Sequence, residues 1–347
     1  MTERRAYLDA GVGETRGVVT LDGRPERLLL ARDDDPACQA LGAEVIGRVR
    51  KLERTLALGF VDLGEGPDGV LNLRPEMGRL TEGQAVRVEV RSEARGGKGA
   101  ALRLIGEAEG PPRLATPAPS LEVELADLAP RFSVVTGPEA RRMVDAAEAV
   151  ALQTTFPLPG GGSLAIEPTR ALTAVDVDVG ERAGGDSKRA ARAANLAALT
   201  LAARLLRLQG QGGLVVFDLA GRGHDGPALI AAARAAFAAD NPGVAFGPIS
   251  RFGTLELTIP RRRRSLAERL LDAAGRPTAR TLAMRLVRAL EQEALADPGA
   301  RIAARAAPAV AEAATPYLKA LTDRFGARLE LAVDPALAPD AFEVKPR

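Results

Sequence analysis

Through the first hundred positions, apolar residues alternate with polar ones in short runs broken by glycine-containing turns, the pattern of strands buried on one face. Arg5-Ala-Tyr-Leu-Asp, Gly17-Val-Val-Thr-Leu and Arg27-Leu-Leu-Leu-Ala predict a hairpin-rich opening. Between Ala43 and Leu104 follow EVIGRVRKLE, LALGFVDLG, DGVLNLRP, AVRVEVRSEA and AALRLIG. Five short strands packed this closely predict a small barrel of the oligonucleotide-binding type. Pro111, Pro112, Pro117 and Pro119 then mark Glu107 to Ser120 as a linker.

Beyond the linker the period changes. FSVVTG reads as a strand and Pro138 to Leu152 as an amphipathic helix opened by proline. Strand-like SLAIEP and ALTAVDVDV precede a long alanine-rich helical pattern from Ser187 to about Leu208, then LVVFDLA, a helix over Pro227 to Ala239, and FGTLELTIP. Such alternation predicts an α/β layer with its functional ends at the strand termini. From Ser265 three helical stretches and the strand-like Ala327-Arg-Leu-Glu-Leu-Ala-Val and Phe342-Glu-Val predict a small α+β module.

A chain of 347 residues, 46% hydrophobic and 27% charged, has enough apolar surface for two or more domains. The opening MTERRAYLDAG lacks an apolar leader core and no apolar run is long enough to cross a bilayer, so a cytoplasmic location and no membrane partner are expected. The single cysteine, Cys38, excludes an intramolecular disulfide and a Cys-rich zinc cluster. With His224 the only histidine, His-pair metal sites are excluded and a Ser/His triad would have to use that residue. Chemistry therefore falls to carboxylates. Net charge is +2, so any attraction to nucleic acid must come from local basic clusters.

Alternation in ALTAVDVDVG places Asp176 and Asp178 on one face of a strand and Val175, Val177 and Val179 on the other. If that strand is apolar on both faces, as in a covered α/β sheet, two adjacent acids cost desolvation and repulsion unless a cation or a basic partner offsets them. Asp218 ends the apolar run Gly213-Leu-Val-Val-Phe217. Were the two strands neighbours, three oxygen donors would converge in a set suited to Mg²⁺. The alternative is structural: aspartates at strand ends also cap helices and turns or pair with arginine.

Basic residues form local groups. Arg261, Arg262, Arg263 and Arg264 follow the last strand of the layer, Arg251 sits in Ile249-Ser-Arg-Phe-Gly253, and Lys188 and Arg192 share a helical face. Each could hold phosphate or simply be solvated. In the barrel, Phe60 and Lys98 read as a stacking residue and a backbone contact, with core packing the alternative for Phe60. Gly221-Arg-Gly-His-Asp-Gly226 fits the dinucleotide pattern G-x-G-x-x-G between a strand and a helix. It reads either as a cofactor loop or as a plain turn, and Asp240 lies closer than the acid of that fingerprint should.

Taken in order, ALTAVDVDVG, the Gly184-Gly185-Asp186 turn, Asn195-Leu196, LRLQGQGGLVVFD and ISRFGTLEL resemble the DNase-I-like catalytic region of the ribonuclease E/G family. FPLPGGGSLAIEPTRAL resembles its lead-in, and EVIGRVRKLERTLALGFVDLGEGPDGVLNL its S1 barrel. The resemblance implies an α+β multidomain fold: residues 1–40 and 122–160 as parts of a reduced RNase-H-like subdomain, 41–106 as an S1 barrel inserted in it, 107–121 as linker, 161–264 as a DNase-I-like α/β catalytic layer, and 265–347 as a small α+β C-terminal domain. It implies a Mg²⁺-dependent endoribonuclease, Mn²⁺ being an alternative ion, that cleaves single-stranded RNA to 5′-phosphate and 3′-hydroxyl ends. Asp176 and Asp218 match the family's metal aspartates. Asp178 stands where the family has asparagine, and would orient the attacking water. Phe60 matches one of the family's two RNA-gripping phenylalanines, while the other falls on Val70. No counterpart exists for the family's zinc-binding cysteines, which implies no zinc and leaves a zinc-independent homodimer open. The segment carrying the family's 5′-end sensor is missing, so 5′-end sensing should be absent. A catalytically inactive RNA-binding relative is the competing expectation.

Overall fold

A computed structural model describes residues 3–180, 187–240 and 243–346, without the side chain of Glu76. The opening alternation folds into an antiparallel meander of β1 (Arg4–Ala10), β2 (Glu14–Leu21) and β3 (Arg24–Arg32). The barrel follows as β4 (Glu44–Glu53), β5 (Leu58–Asp62), β6 (Gly69–Asn72), β7 (Ala85–Ser92) and β8 (Ala101–Glu107). Their order β5-β6-β8-β7-β4 closes through a β4–β5 pairing, with β6 and β8 parallel. This closed five-stranded Greek key matches the oligonucleotide-binding barrel in topology, and its own core holds Val45, Val61, Leu71, Val86 and Val88.

The proline-rich stretch is more ordered than a linker: β9 (Arg113–Thr116) pairs antiparallel with β4 at the barrel edge. It is an edge strand, the place where proline neighbours do least harm to a ladder. The chain then returns to the meander as α1 (Leu121–Leu128) and α2 (Pro138–Ala151). Leu121 and Leu125 pack with Ala6, Leu8 and Val19 on one face, while Val144 and Ala147 of α2 join the core on the other. FSVVTG supplies only a single bridge, Val135 to Tyr7, in place of the expected strand.

A six-stranded sheet follows, made of β10 (Thr155–Pro157), β11 (Ser163–Pro168), β12 (Thr173–Asp178), β13 (Gly213–Asp218), β14 (Ala245–Ile249) and β15 (Thr254–Ile259), in the order β10-β11-β12-β13-β15-β14. The crossover between parallel β12 and β13 is α3 (Ser187–Gln209), and α4 (Gly226–Ala236) links β13 to β14. Ala194, Ala198, Ala202 and Leu206 of α3 are buried between the meander and this sheet, in a core shared with Leu28, Leu30, Val175, Val215 and Phe217. Small alanines let both layers approach the helix closely. The expected boundary at residue 160 is therefore not a boundary of the core.

The last part is α5 (Leu266–Leu270), α6 (Ala279–Ala296), β16 (Ile302–Ala306), α7 (Pro308–Phe325), β17 (Leu329–Val333) and β18 (Phe342–Pro346). Its three-stranded sheet has β16 at the centre. That strand was not anticipated, because IAARA carries alanines of low strand preference; burial of Ile302, Ala304 and Ala306 on the helices decides its state. The whole is an α+β multidomain architecture, and among the described residues no helix is long and apolar enough to cross a membrane.

Candidate functional site

Strands β12 and β13 run parallel and in register, with Asp176 directly opposite Asp218. Neighbouring strands lie about 4.8 Å apart, so the two carboxylates leave the sheet side by side. Val175, Val177, Val215 and Phe217 point the other way and are buried against α3, whereas Asp176, Asp178 and Asp218 are all exposed. The expected desolvation cost does not arise. Among the described residues helices cover one face of this sheet, and the aspartates occupy the other beside exposed Glu256 and half-buried Ala165, Ala174 and Val216.

Two of the three carboxylates form a register pair; the third does not join them in a cluster. Asp178 lies two residues further along, where its Oδ1 accepts from the Gly180 amide at 2.9 Å. Among the described residues no group of three or more His, Cys, Asp or Glu side chains is placed to hold a metal ion. The turn before β11 packs onto the end of β12: a Cβ on Gly162 would lie 2.2 Å from the Asp178 carbonyl oxygen, and Gly162 has φ +80°. Gly162→Ala should therefore cost about 1–3 kcal/mol and displace the end of β12. Urea unfolding checks the first effect, and a variant as stable as wild type would refute the close approach.

Beyond Asp218 the chain is held by the buried Asn195 of α3, whose Nδ2 donates to the Ala220 carbonyl at 3.0 Å and whose Oδ1 accepts from the Ala220 amide at 2.9 Å. Asn195 was legible only as part of a motif. Its task is to satisfy both backbone polar groups of one residue and so fix the exit of β13. The glycine-rich loop that follows is a turn. Gly221 and Gly223 take φ of +84° and +68°, and a Cβ on Gly221 would meet Ala191 at 2.9 Å. The Asp225 carboxylate accepts from the Ala228 amide at 3.3 Å, filling the α4 N-terminus where a pyrophosphate would sit. His224 Nε2 is enclosed against Gly253, and among the described residues it has no hydrogen-bond partner.

The basic residues divide into two groups. At the aspartate end, Arg192 pairs with Asp225 at 3.2 Å, Lys188 is exposed on the first turn of α3, and the Arg251 guanidinium lies 4.7 Å over the Phe252 ring. Gly184-Gly185-Asp186 lies outside the described residues. At the opposite end of β13, the run from Arg261 to Arg264 acts as a strut. Arg261 Nε donates to the Gly212 carbonyl, Arg263 pairs with Glu124 at 2.5 Å, and Arg264 lies 3.8 Å from Asp35 and 3.9 Å from Glu93. The Glu93 amide donates to the Arg262 carbonyl, and Arg95 Nη1 donates to that of Arg261. The run thus ties the central sheet to the barrel's β7–β8 hairpin, which also carries the exposed Lys98. Arg262 is exposed and has no ion pair among the described residues.

A cavity of about 630 Å³ opens at this far end, lined by Arg27, Arg207, Asp240, Arg263 and Arg264 among others. Its arginines are largely neutralised by Asp240, Glu124 and Asp35. Neither Asp176 nor Asp218 lines it. On the barrel wall, Phe60 of β5 is the register partner of Val70 of β6, and both are half-buried.

Ribonuclease E of Escherichia coli (strain K12) is 36% identical over 155 residues, which cover 42% of this chain and 15% of that protein. Ribonuclease E of Haemophilus influenzae is 35% identical over 155 residues, again 42% of this chain and 17% of the relative. That of Buchnera aphidicola subsp. Acyrthosiphon pisum is 33% identical over 156 residues. The matched stretch thus spans less than a fifth of these relatives' length. Residues 139–264, which hold the paired aspartates, Asn195 and the Arg251 turn, match the Ribonuclease E/G family, and over this part the chain is homologous to that family.

Proposed function

We propose that this chain hydrolyses phosphodiester bonds in single-stranded RNA, with Mg²⁺, or Mn²⁺ in its place, held by Asp176 and Asp218. The observation that carries the reading is the in-register pair of exposed carboxylates at the carboxyl ends of two parallel strands. Mg²⁺ commonly takes one or two protein carboxylates and fills its other positions with water and phosphate oxygens, so an exposed pair without a third protein ligand suits it. When bound, the ion would neutralise charge on the phosphate and acidify a water.

The chain's own residues supply position. Asp178, with one oxygen on the Gly180 amide, retains a second to accept from a water near the phosphate. Arg251 and Arg192, with Lys188, give the aspartate end of the sheet its positive rim. Asn195 fixes the exit of β13. Water attack at phosphorus with cleavage of the P–O3′ bond leaves a 5′-phosphate and a 3′-hydroxyl, the ribose O3′ that leaves phosphorus taking up a proton. In this reading residues 41–106 are an S1 barrel that clamps the strand through Phe60 and Lys98, with Val70 giving a poorer stack than a second phenylalanine. The meander with α1 and α2 is a reduced RNase-H-like part, 161–264 the DNase-I-like layer and 265–347 the small domain through which a zinc-independent homodimer would form. Cleavage should be indifferent to the state of the RNA 5′ end. Of the Arg261 to Arg264 run, Arg262 is the member best placed to meet phosphate.

A fluorescent oligoribonucleotide incubated with the protein and Mg²⁺ should give fragments bearing 5′-phosphates, at equal rates from 5′-hydroxyl and 5′-monophosphate substrates. Intact RNA, or fragments ending in 2′,3′-cyclic phosphate, would sink this mechanism. The extra charge of Asp178 and its bond to Gly180 favour the second reading, an RNA-binding protein without turnover, which predicts bound but uncut RNA.

A further inference from the structure

The most exposed large apolar side chain among the described residues is Phe252, at 77%. Isolated exposed apolar residues are ordinary, but three features of this one are not explained by folding. First, its turn is closely hydrogen-bonded. Ser250 Oγ accepts from the Phe252 amide and from the Thr254 amide, both at 3.2 Å, and lies 2.7 Å from Thr254 Oγ1. The Ser250 amide donates to the Thr254 carbonyl at 2.9 Å, and Gly253 turns the chain with φ +89°. A turn ordered to this degree holds the ring out in water instead of tucking it against the sheet.

Second, the Arg251 guanidinium lies over the ring, 4.7 Å from its centroid, which restrains an otherwise free side chain and sets a cation beside it. Third, the turn is tied to the aspartates. Thr254 is the register partner of Asp218, and the Leu219 amide donates to the Gly253 carbonyl at 3.2 Å. Phe252 is two residues from Thr254, a backbone reach of about 7 Å.

We infer that Phe252, braced by Arg251, is a subsite for one unpaired nucleobase, presented beside the paired carboxylates. The base stacks on the ring while Arg251 meets the adjoining phosphate. Because every base has a π-face, such a subsite selects for unstacked, single-stranded nucleotides and is tolerant of their sequence. It would fix the register of the strand on the sheet while the barrel holds a different part of it. A role for this subsite in placing RNA for cleavage rests on the hydrolytic reading above; base binding itself does not.

The test is fluorescence anisotropy with a labelled oligoribonucleotide, Ca²⁺ replacing Mg²⁺, and a single abasic nucleotide walked along the sequence. Wild type should lose affinity at one position in addition to any the barrel reads. Phe252→Ala should weaken binding of the intact strand roughly tenfold and should no longer respond to the abasic nucleotide at that position. Phe252→Tyr should restore both. Phe252→Ala that binds as tightly as wild type, or keeps the full abasic profile, overturns the subsite, as does wild type that binds no RNA. Loss of affinity in Phe252→Ala with RNA left uncut by wild type in Mg²⁺ would support the subsite and reject hydrolysis. Unchanged affinity with active cleavage would do the reverse.

Discussion

Asp218→Asn should abolish Mg²⁺-dependent cleavage while leaving the fold as stable as wild type or slightly more so, and Asp176→Asn should do the same. The amide has the size of the carboxylate but not its charge, so a bound cation loses one of its two anionic ligands. Stabilisation of several kcal/mol by a metal corresponds to a rate loss on the order of a hundredfold or more. Folding responds in the opposite sense. Asp176 and Asp218 are exposed and directly opposite, and like charges in register repel; removing one should gain a few tenths of a kcal/mol up to about 1 kcal/mol. Mg²⁺ should raise the melting temperature of wild type and have little effect on either variant. Thermal unfolding with and without Mg²⁺, run beside the cleavage assay, reads all of this. Variants that cut RNA at the wild-type rate would remove the proposed roles of both residues.

Arg16→Met should cost about 3–5 kcal/mol, the usual consequence of removing one partner from a buried ion cluster. Arg16 is 1% exposed on β2 and meets Asp9 at 2.5 Å, Asp145 at 2.8 Å and Glu148 at 3.1 Å. Arg285 of α6 pairs with the same Glu148 at 2.9 Å, and Arg288 pairs with Glu14, so the cluster joins the meander, α2 and the last module. Burial by itself would raise the Asp9 and Glu148 carboxyls; Arg16 and Arg141 outweigh it for Asp9, and Arg288, Arg285 and Arg16 do so for Glu148. Both carboxyls are thereby held below their ordinary range. Groups so depressed bind protons more readily in the unfolded chain, so their contribution is complete above about pH 4.5 and is lost as pH falls through their native values. The gap between wild type and Arg16→Met should accordingly narrow in acid. Urea unfolding at pH 7 and near pH 3 measures it, and a loss below about 1 kcal/mol at pH 7 would contradict the buried cluster.

Much of the architecture could be read from periodicity. The five barrel strands, the long helix between β12 and β13 and the alternation of ALTAVDVDV all follow from patterns of period 2 or 3.6, which burial of one face enforces. The misses have physical causes. A strand built on alanine, β16, has too little intrinsic preference to be seen. The edge strand β9 hides among prolines, and FSVVTG makes one bridge to the meander, Val135 to Tyr7. Phe252 was passed over as one letter of a motif, since no pattern of spacing tells an exposed ring from a buried one. For the arginines after β15 the sequence left phosphate and solvent open; the fold brings Glu124 to Arg263 and Asp35 and Glu93 to Arg264 from elsewhere in the chain.

The sequence by itself determined which acids share a strand face, because the two-residue repeat of an extended chain admits no other arrangement of Asp176 and Asp178. It also determined that chemistry would not rest on cysteine or histidine pairs. Only the tertiary structure decided that Asp218 stands opposite Asp176, that this face is open to water, and that Asp178 turns to Gly180. Strand neighbourhood and register depend on how α3 packs between two sheets, an outcome of side chains far apart in the chain that no local pattern encodes.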